Sequence, residues 1–301
     1  MSAPGTTVLY DAPGPRARRR TMVGSLIVTV VLATLLVVVL LRLAERGQLS
    51  MERWGPIIDP SNEVFPLLWA LLWDGIQATL TAAVLAISLS LVIGTIIGVG
   101  RMLLGRWGRI PLVGLIELLR GLPVVISIFF AWRVLPQVGV DPSALPGDNN
   151  LWYLVIGLTA YNSVIIAEIV RAGVASLPRG QREAALAIGM TPGQTMRSVL
   201  LPQAFRTMLP AIISQLVVVL KDTSLAAVLG LYPELLNNAN EAAQELDNPI
   251  QMFFTVALIF IVLNYALSKL AEYAERQSAR RGGGRKAVED AEAAATATAG
   301  A

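Results

Sequence analysis

At 301 residues, 54% hydrophobic, 15% charged and with a mean hydropathy of +0.61, the chain is too apolar for an ordinary soluble domain, so lipid must solvate much of it. A net charge of only +3, with the basic residues gathered in loops, gives no argument for nucleic acid despite a pI near 9.4. Having neither cysteine nor histidine, the chain has no disulfides, no thiolate or imidazole metal sites, no Cys–His or Ser–His catalysis and no histidine proton relays.

A membrane span needs roughly 20 mostly apolar residues. Six segments qualify, at about 22–41, 75–100, 111–136, 151–172, 208–231 and 250–270, which predicts an all-α polytopic membrane protein. Residues 1–21 are basic and rich in Pro, Gly and Thr, and are expected to be disordered. Arg16, Arg18, Arg19 and Arg20 resemble the basic start of a signal peptide. However, Val23 to Leu41 is longer than the usual apolar region of one, and no small-x-small site follows before Arg42. An additional, uncleaved N-terminal helix at 22–41 is the better reading.

Residues 42–74 read as a loop in which Glu45, Glu52, Asp59, Glu63 and Asp74 outweigh Arg42, Arg46 and Arg53. In the second span Gly94 and Gly98 form a small-xxx-small face suited to helix packing. Arg101, Arg106 and Arg109 follow it. The third span carries Glu117 and Arg120, three apart on one face, and Arg133 beside Trp132, placed to snorkel. Asp141 and Asp148 lie in the next loop with no Lys or Arg. In the fourth span Tyr161 and Asn162 suit either a cavity lining or interhelical bonding, and Glu168 and Arg171 repeat the three-residue spacing. Charges inside spans are costly and become functional candidates by default, but both i,i+3 pairs sit near a span end and read better as structural anchors than as substrate contacts.

Lys221 and Asp222 are expected midway along the fifth span, about 20 Å from its start at ~1.5 Å per residue. Adjacent helical residues do not face each other, so each needs another partner or a wet cavity. Thr223 and Ser224 add hydroxyls. Both a buried ion pair with other helices and a lining or gate of a translocation path remain open. Glu234, Glu241, Glu245 and Asp247 make the following loop acidic, and the tail at 271–301 carries Arg276, Arg280, Arg281, Arg285 and Lys286 around a Gly-Gly-Gly run and ends in an Ala/Thr stretch. Alternation of six spans puts all the arginine-rich segments on one side, which the positive-inside rule makes cytoplasmic. Both termini are then cytoplasmic, in a multi-pass protein of the cell membrane.

The loop 178–202 reads as two short helices with a break. Gln181 to Ile188 is rich in helix formers. Gly189 can take the positive φ that ends a helix, and Thr191-Pro192-Gly193-Gln194 restarts one, with Thr191 as N-cap, Pro192 first in the helix and Gln194 reaching back. Leu186, Ile188 and Met190 leave apolar surface there, as a partner-binding segment does.

Glu183-Ala184-Ala185, Gly189 and Val199-Leu200-Leu201-Pro202 are spaced as in the EAA loop of ABC-importer membrane subunits, with Val199 where isoleucine is usual. Pro178-x-Gly180-Gln181-x-Glu183-Ala184-Ala185 resembles the version found in polar amino acid permeases. Arg120-Gly121-Leu122-Pro123, Ala167-Glu168-x-x-Arg171-x-Gly173 and Lys221-Asp222-Thr223-Ser224-Leu225 match the same family in the same order. The chain looks most like the glutamate-uptake permeases of actinobacteria. The resemblance implies that 75–270 forms the five-helix, MetI-like permease core. It also implies that Gln181, Glu183, Ala184, Ala185, Gly189, Leu201 and Pro202 belong to the segment that docks on a cytoplasmic ATPase dimer. A second permease subunit, preferably a related chain, would complete the pore, and an extracellular solute-binding protein would deliver glutamate, or else glutamine or aspartate. The chain has no GxxxxGK[ST] loop, so ATP and Mg are expected on the partner, with no cofactor, metal or catalytic residue here. The rival reading, an ion-coupled secondary transporter using Lys221 and Asp222, leaves the 178–202 loop unexplained, and no internal repeat supports it.

Overall fold

Lipid offers the backbone no hydrogen-bond partners, so a crossing segment must satisfy its own N–H and C=O groups, as a helix does. The structure, a computed structural model, describes residues 14–273, and every regular element among them is helical. The basic cluster expected in the tail lies outside the described residues.

Helix α1 (Pro15–Glu45) has no buried residue. Its start at Pro15 puts Arg16, Arg18, Arg19 and Arg20 in the first helical turns, where a disordered segment was expected; proline is suited to that first position. Next come α2 (Met51–Ile58) and α3 (Phe65–Leu103), so much of the stretch read as a loop at 42–74 is helical. Helices α4 (Arg106–Gly121) and α5 (Val124–Val134) precede α6 (Asn149–Ala175). Beyond it lie α7 (Arg179–Ala187), α8 (Pro192–Thr195), a π-turn at Met196–Leu200, α9 (Leu201–Asp222), α10 (Leu225–Leu229), α11 (Leu235–Glu245) and α12 (Pro249–Tyr273).

By length and composition α1, α3, α6, the run Pro192–Leu229 and α12 can each cross a membrane. The expected single span at 111–136 is not one helix. Helices α4 and α5 meet at 106°, and together they make a sixth crossing only as a bent pair. The break follows from Pro123, which lacks an N–H and forces Leu122 out of the helical region to ψ 140. The string Arg120-Gly121-Leu122-Pro123 therefore encodes a corner.

The centre of the bundle is the α3–α6 contact. A Cβ on Gly94 would stand 2.6 Å from Ile166 Cβ and from the Ser163 carbonyl oxygen, and one on Gly98 would stand 2.8 Å from the Ala167 carbonyl oxygen. The expected small-residue face thus brings two backbones together at a distance no side chain permits. Gly157 does the same for α6 against α5, 2.5 Å from Ile128 Cα. Around these contacts Ala82, Ala86, Ile128, Leu154, Leu158 and Val219 form one core, and Ile166, Val170, Met208 and Ile212 another. Asn162, fully buried, accepts from Gln215 Nε2 at 2.7 Å and donates to the Leu158 carbonyl, so it bonds α6 to α9.

A third core at the far end from the arginine loops joins α2, α3, α11 and α12 through Ile57, Leu72, Leu235, Ala239, Met252 and Val256. Arg53 of α2 pairs with Asp247 at 3.0 Å, so that acid has a partner from outside its own loop. Asn248 and Gln251 bond the backbone of Arg53 and Gln48. The other unexpected acid is Glu234. Read from sequence as a loop residue, it is fully buried at the N-cap of α11, accepting from the backbone N–H of Leu236 and Asn237 at 2.9 and 2.8 Å. Burial pushes its carboxyl up to about 7, against the opposing effect of those two N–H groups and the Thr79 hydroxyl.

Two outcomes follow. Gly94→Val should cost about 1–3 kcal/mol by overpacking and lower the thermal midpoint of the purified protein, whereas Gly114→Val, with no atom within 4 Å of its added Cβ, should not. Because the folded state holds the Glu234 proton more tightly than the unfolded chain, its contribution is full below the ordinary glutamate value of 4.5 and is lost as pH rises to about 7. Thermal midpoints measured between pH 5 and 8 should show the wild type falling relative to Glu234→Gln across that window, and equal slopes would contradict it.

Candidate functional site

The segment 178–202 has the local structure its residues predict. Helix α7 ends in a Schellman turn: Gly189, at φ +86, donates its N–H to Leu186 O, and Met190 donates to Ala185 O. Thr191 then caps α8 in a complete capping box, its hydroxyl accepting from Gln194 N and its N–H donating to Gln194 Oε1. The Met196–Leu200 π-turn, a feature often found at functional sites, carries the segment directly into α9. Leu201 and Pro202 are therefore the first turn of a long helix, not the end of a loop.

The hairpin is tied down on one side only. Ala185, Thr195, Met196 and Leu200 are buried, and Gln203 Nε2 bridges Gln181 Oε1 at 3.3 Å and the Val199 carbonyl at 2.9 Å. On the other side Glu183 and Ala184 are exposed, as are Leu186 at 39% and Ile188 at 80%. An isoleucine and a leucine thus stand exposed beside a carboxylate on a two-helix corner. No atom lies within 4 Å of a Cβ added at Gly189, so the demand for glycine there is conformational.

Beside the hairpin, Glu168 of α6 accepts from Arg171 Nη2 at 2.5 Å and from Arg101 Nη1 of α3 at 2.8 Å. The predicted Glu168–Arg171 pair is present. Arg101, 67 residues away, is the partner sequence spacing did not reveal; only the α3–α6 contact brings it there. Glu117 and Arg120 do not form the expected local pair. Both are exposed and no ion pair joins them; Arg120 instead adds its field to that of Arg101 and Arg171 at Glu168. Arg109, Arg179 and Arg182 stand near this cluster and make no ion pair among the described residues.

Lys221 and Asp222 are not midway along a helix but close α9, just before the turn that separates it from α10. Thr223 and Ser224 hydroxyls donate back to the carbonyls of Leu220 and Lys221, both at 2.7 Å, and so are satisfied within the chain. Lys221 is exposed, while Asp222 is half-buried with a carboxylate oxygen that has no hydrogen-bond partner. Arg133 stacks over Trp132 at 3.8 Å.

Residues 90–279 match the family described as binding-protein-dependent transport system inner membrane component. The chain is 42% identical over 246 residues, 82% of its length, to the glutamate transport system permease protein GluD of Corynebacterium glutamicum, covering 86% of that protein. It is 36% identical over 68% of its length to the probable glutamine ABC transporter permease protein GlnP of Bacillus subtilis, covering 93% of it. Among solved structures, an amino acid ABC transporter crystallised with histidines superposes with a TM-score of 0.60 at 28% identity, over 69% of this chain and 94% of that one. An inward-facing MetNI methionine transporter, 22% identical, shares the fold at a TM-score of 0.60, over 70% and 97%.

Glu168→Gln removes the carboxylate that holds Arg101 against Arg171. Both partners are partly exposed, so solvent reduces the loss; it should amount to about 1–2 kcal/mol of stability, read as a lower thermal midpoint. In a double-mutant cycle with Arg101→Gln, additive effects would mean that the 2.8 Å contact carries no coupling.

Proposed function

From the premise that this chain belongs to the binding-protein-dependent transport system inner membrane components, as a permease subunit and not an enzyme, we propose that it forms part of the pore of an ABC importer for a polar amino acid. Glutamate is the first substrate, glutamine and aspartate the next. The reading on glutamate leans on the 42% identity to a glutamate permease; the glutamine permeases at 36% and 33% keep the amide in view.

The observation that carries the mechanism is the hairpin at 178–202. Its buried side fixes it to α9, and its exposed side offers Glu183, Ala184, Leu186 and Ile188 to a partner. A cytoplasmic ATPase dimer is that partner. ATP and Mg bind there, and closure of the dimer moves the hairpin. The π-turn and α9 pass the movement to Lys221 and Asp222, which close α9 within the run Pro192–Leu229. In a pore built from this chain and a second permease subunit, preferably a related one, those two residues face the path. A zwitterionic substrate carries both charges, and an ammonium beside a carboxylate without a hydrogen-bond partner offers both signs. A solute-binding protein delivers the amino acid to the outer face, where α2 and α11 lie. The arginine-rich segments and both termini are cytoplasmic, as the positive-inside rule requires.

Uptake of labelled glutamate, with unlabelled amino acids as competitors, tests the reading in cells with and without the gene. Deletion should abolish ATP-dependent uptake. Gly189→Trp should fail to restore it at unchanged membrane abundance, while Gly189→Asn, which tolerates the left-handed conformation, should restore most of it. Uptake that persists with Gly189→Trp would sink the coupling assignment, and uptake that follows an ion gradient instead of ATP would sink the importer.

A further inference from the structure

The arginines around Glu168 do more than pair with it. A cavity of about 380 Å³ opens between the end of α3, the end of α6 and the hairpin, and Arg101, Arg109, Arg171, Arg179 and Arg182 line it with no acidic residue among them. Glu168, a single carboxylate, pairs with both Arg101 and Arg171, and Arg109, Arg179 and Arg182 have no ion-pair partner among the described residues. Two buried polar groups at the cavity also lack partners: Arg101 Nε–H, and the hydroxyl of Thr195, a residue only 1% exposed. Buried donors without acceptors are rare in folded proteins and point to something absent from the chain itself. A threonine inside a helix ordinarily finds the carbonyl one turn back, and Thr195 does not.

The neighbouring cleft supplies the second half of the ligand. Arg101 and Arg109 are shared with a groove of about 460 Å³ completed by Arg106, Leu104, Ile110 and Val113. A soluble anion would use the arginine cavity and leave the aliphatic groove unused. A molecule with a charged head and an apolar tail uses both.

We infer that this paired cavity and groove is a binding site for an anionic phospholipid of the inner leaflet, its phosphodiester held by Arg109, Arg182 and Thr195 and its acyl chain laid along Leu104, Ile110 and Val113. Basic pockets between helices on the cytoplasmic side are the recurrent setting for such headgroups, and a cationic side chain makes charge-assisted hydrogen bonds to phosphate, whether arginine or lysine. The site touches α7 through Arg179 and Arg182 and α8 through Pro192 and Thr195, so the lipid braces the hairpin against α3. The inference uses the inward placement of this face proposed above, but its readout is lipid retention and not uptake.

The test is native mass spectrometry of the full chain purified in a neutral detergent and titrated with phosphatidylglycerol or with phosphatidylcholine of the same acyl chains. Phosphatidylglycerol should be retained preferentially, and the double change Arg109→Gln with Arg182→Gln should weaken retention roughly tenfold or more. Arg109→Lys with Arg182→Lys should keep most of it, and Arg19→Gln with Arg20→Gln, on the isolated α1, should leave it unchanged. Equal retention of the two lipids, or no loss in the glutamine pair, overturns the inference. So does an equal loss in the α1 control, which would mean diffuse surface charge, or in the lysine pair, which would mean damaged structure. Displacement by millimolar glycerol 1-phosphate or inorganic phosphate would assign the cavity to a soluble anion, and displacement by an added ATPase partner would assign it to a protein surface.

Discussion

The architecture depends on how closely α3 and α6 approach. With Gly94 and Gly98 facing Ser163, Ile166 and Ala167, the two backbones meet where any side chain would intrude. In lipid, where burying apolar groups against each other gains little over burying them against acyl chains, close van der Waals packing is among the few forces left to associate helices. Everything placed by sequence-distant contact follows from that approach. Arg101 reaches Glu168 only because α3 lies against α6 one turn away, and α5 is seated on the opposite side of α6 by Gly157.

The parts of the fold that sequence made legible are those governed by neighbours in the chain. The corner at Gly189 and the cap at Thr191 could be read residue by residue because a Schellman turn and a capping box each close within a few positions. The Glu168–Arg171 pair was readable for the same reason, and so was the small-residue face at Gly94 and Gly98. What failed was set by tertiary packing. Glu234 looks like any loop acid until α11 is laid on Thr79 and Gly75. Glu117 and Arg120 have ideal spacing, yet the field of Glu168 lies in reach of Arg120. The corner at Pro123 was visible as a proline after a motif, but hydropathy alone ran the span through it. Arg101 carried no local signal at all.

Seen from the hairpin, the molecule separates a rigid joint from an open surface. The buried face of the 178–202 segment is fastened through Gln181, Gln203 and four buried side chains, while its outer face offers carboxylate and aliphatic groups. The glycine that shapes it has free space around it, so its identity is fixed by backbone conformation and not by crowding.

Helix α3 has a further consequence. At 39 residues it is about 58 Å long, while the hydrocarbon layer is about 30 Å thick. Nearly half of the rod therefore lies outside the oil, even with a moderate tilt. Its upper stub is the post on which α11 is mounted, through Leu71, Gly75 and Thr79, and its lower end carries Arg101. One unbroken member is thus both the scaffold of the α2–α11–α12 core and a wall of the arginine cavity. Any swing imposed at one rim has to appear at the other, with the bilayer as its fulcrum.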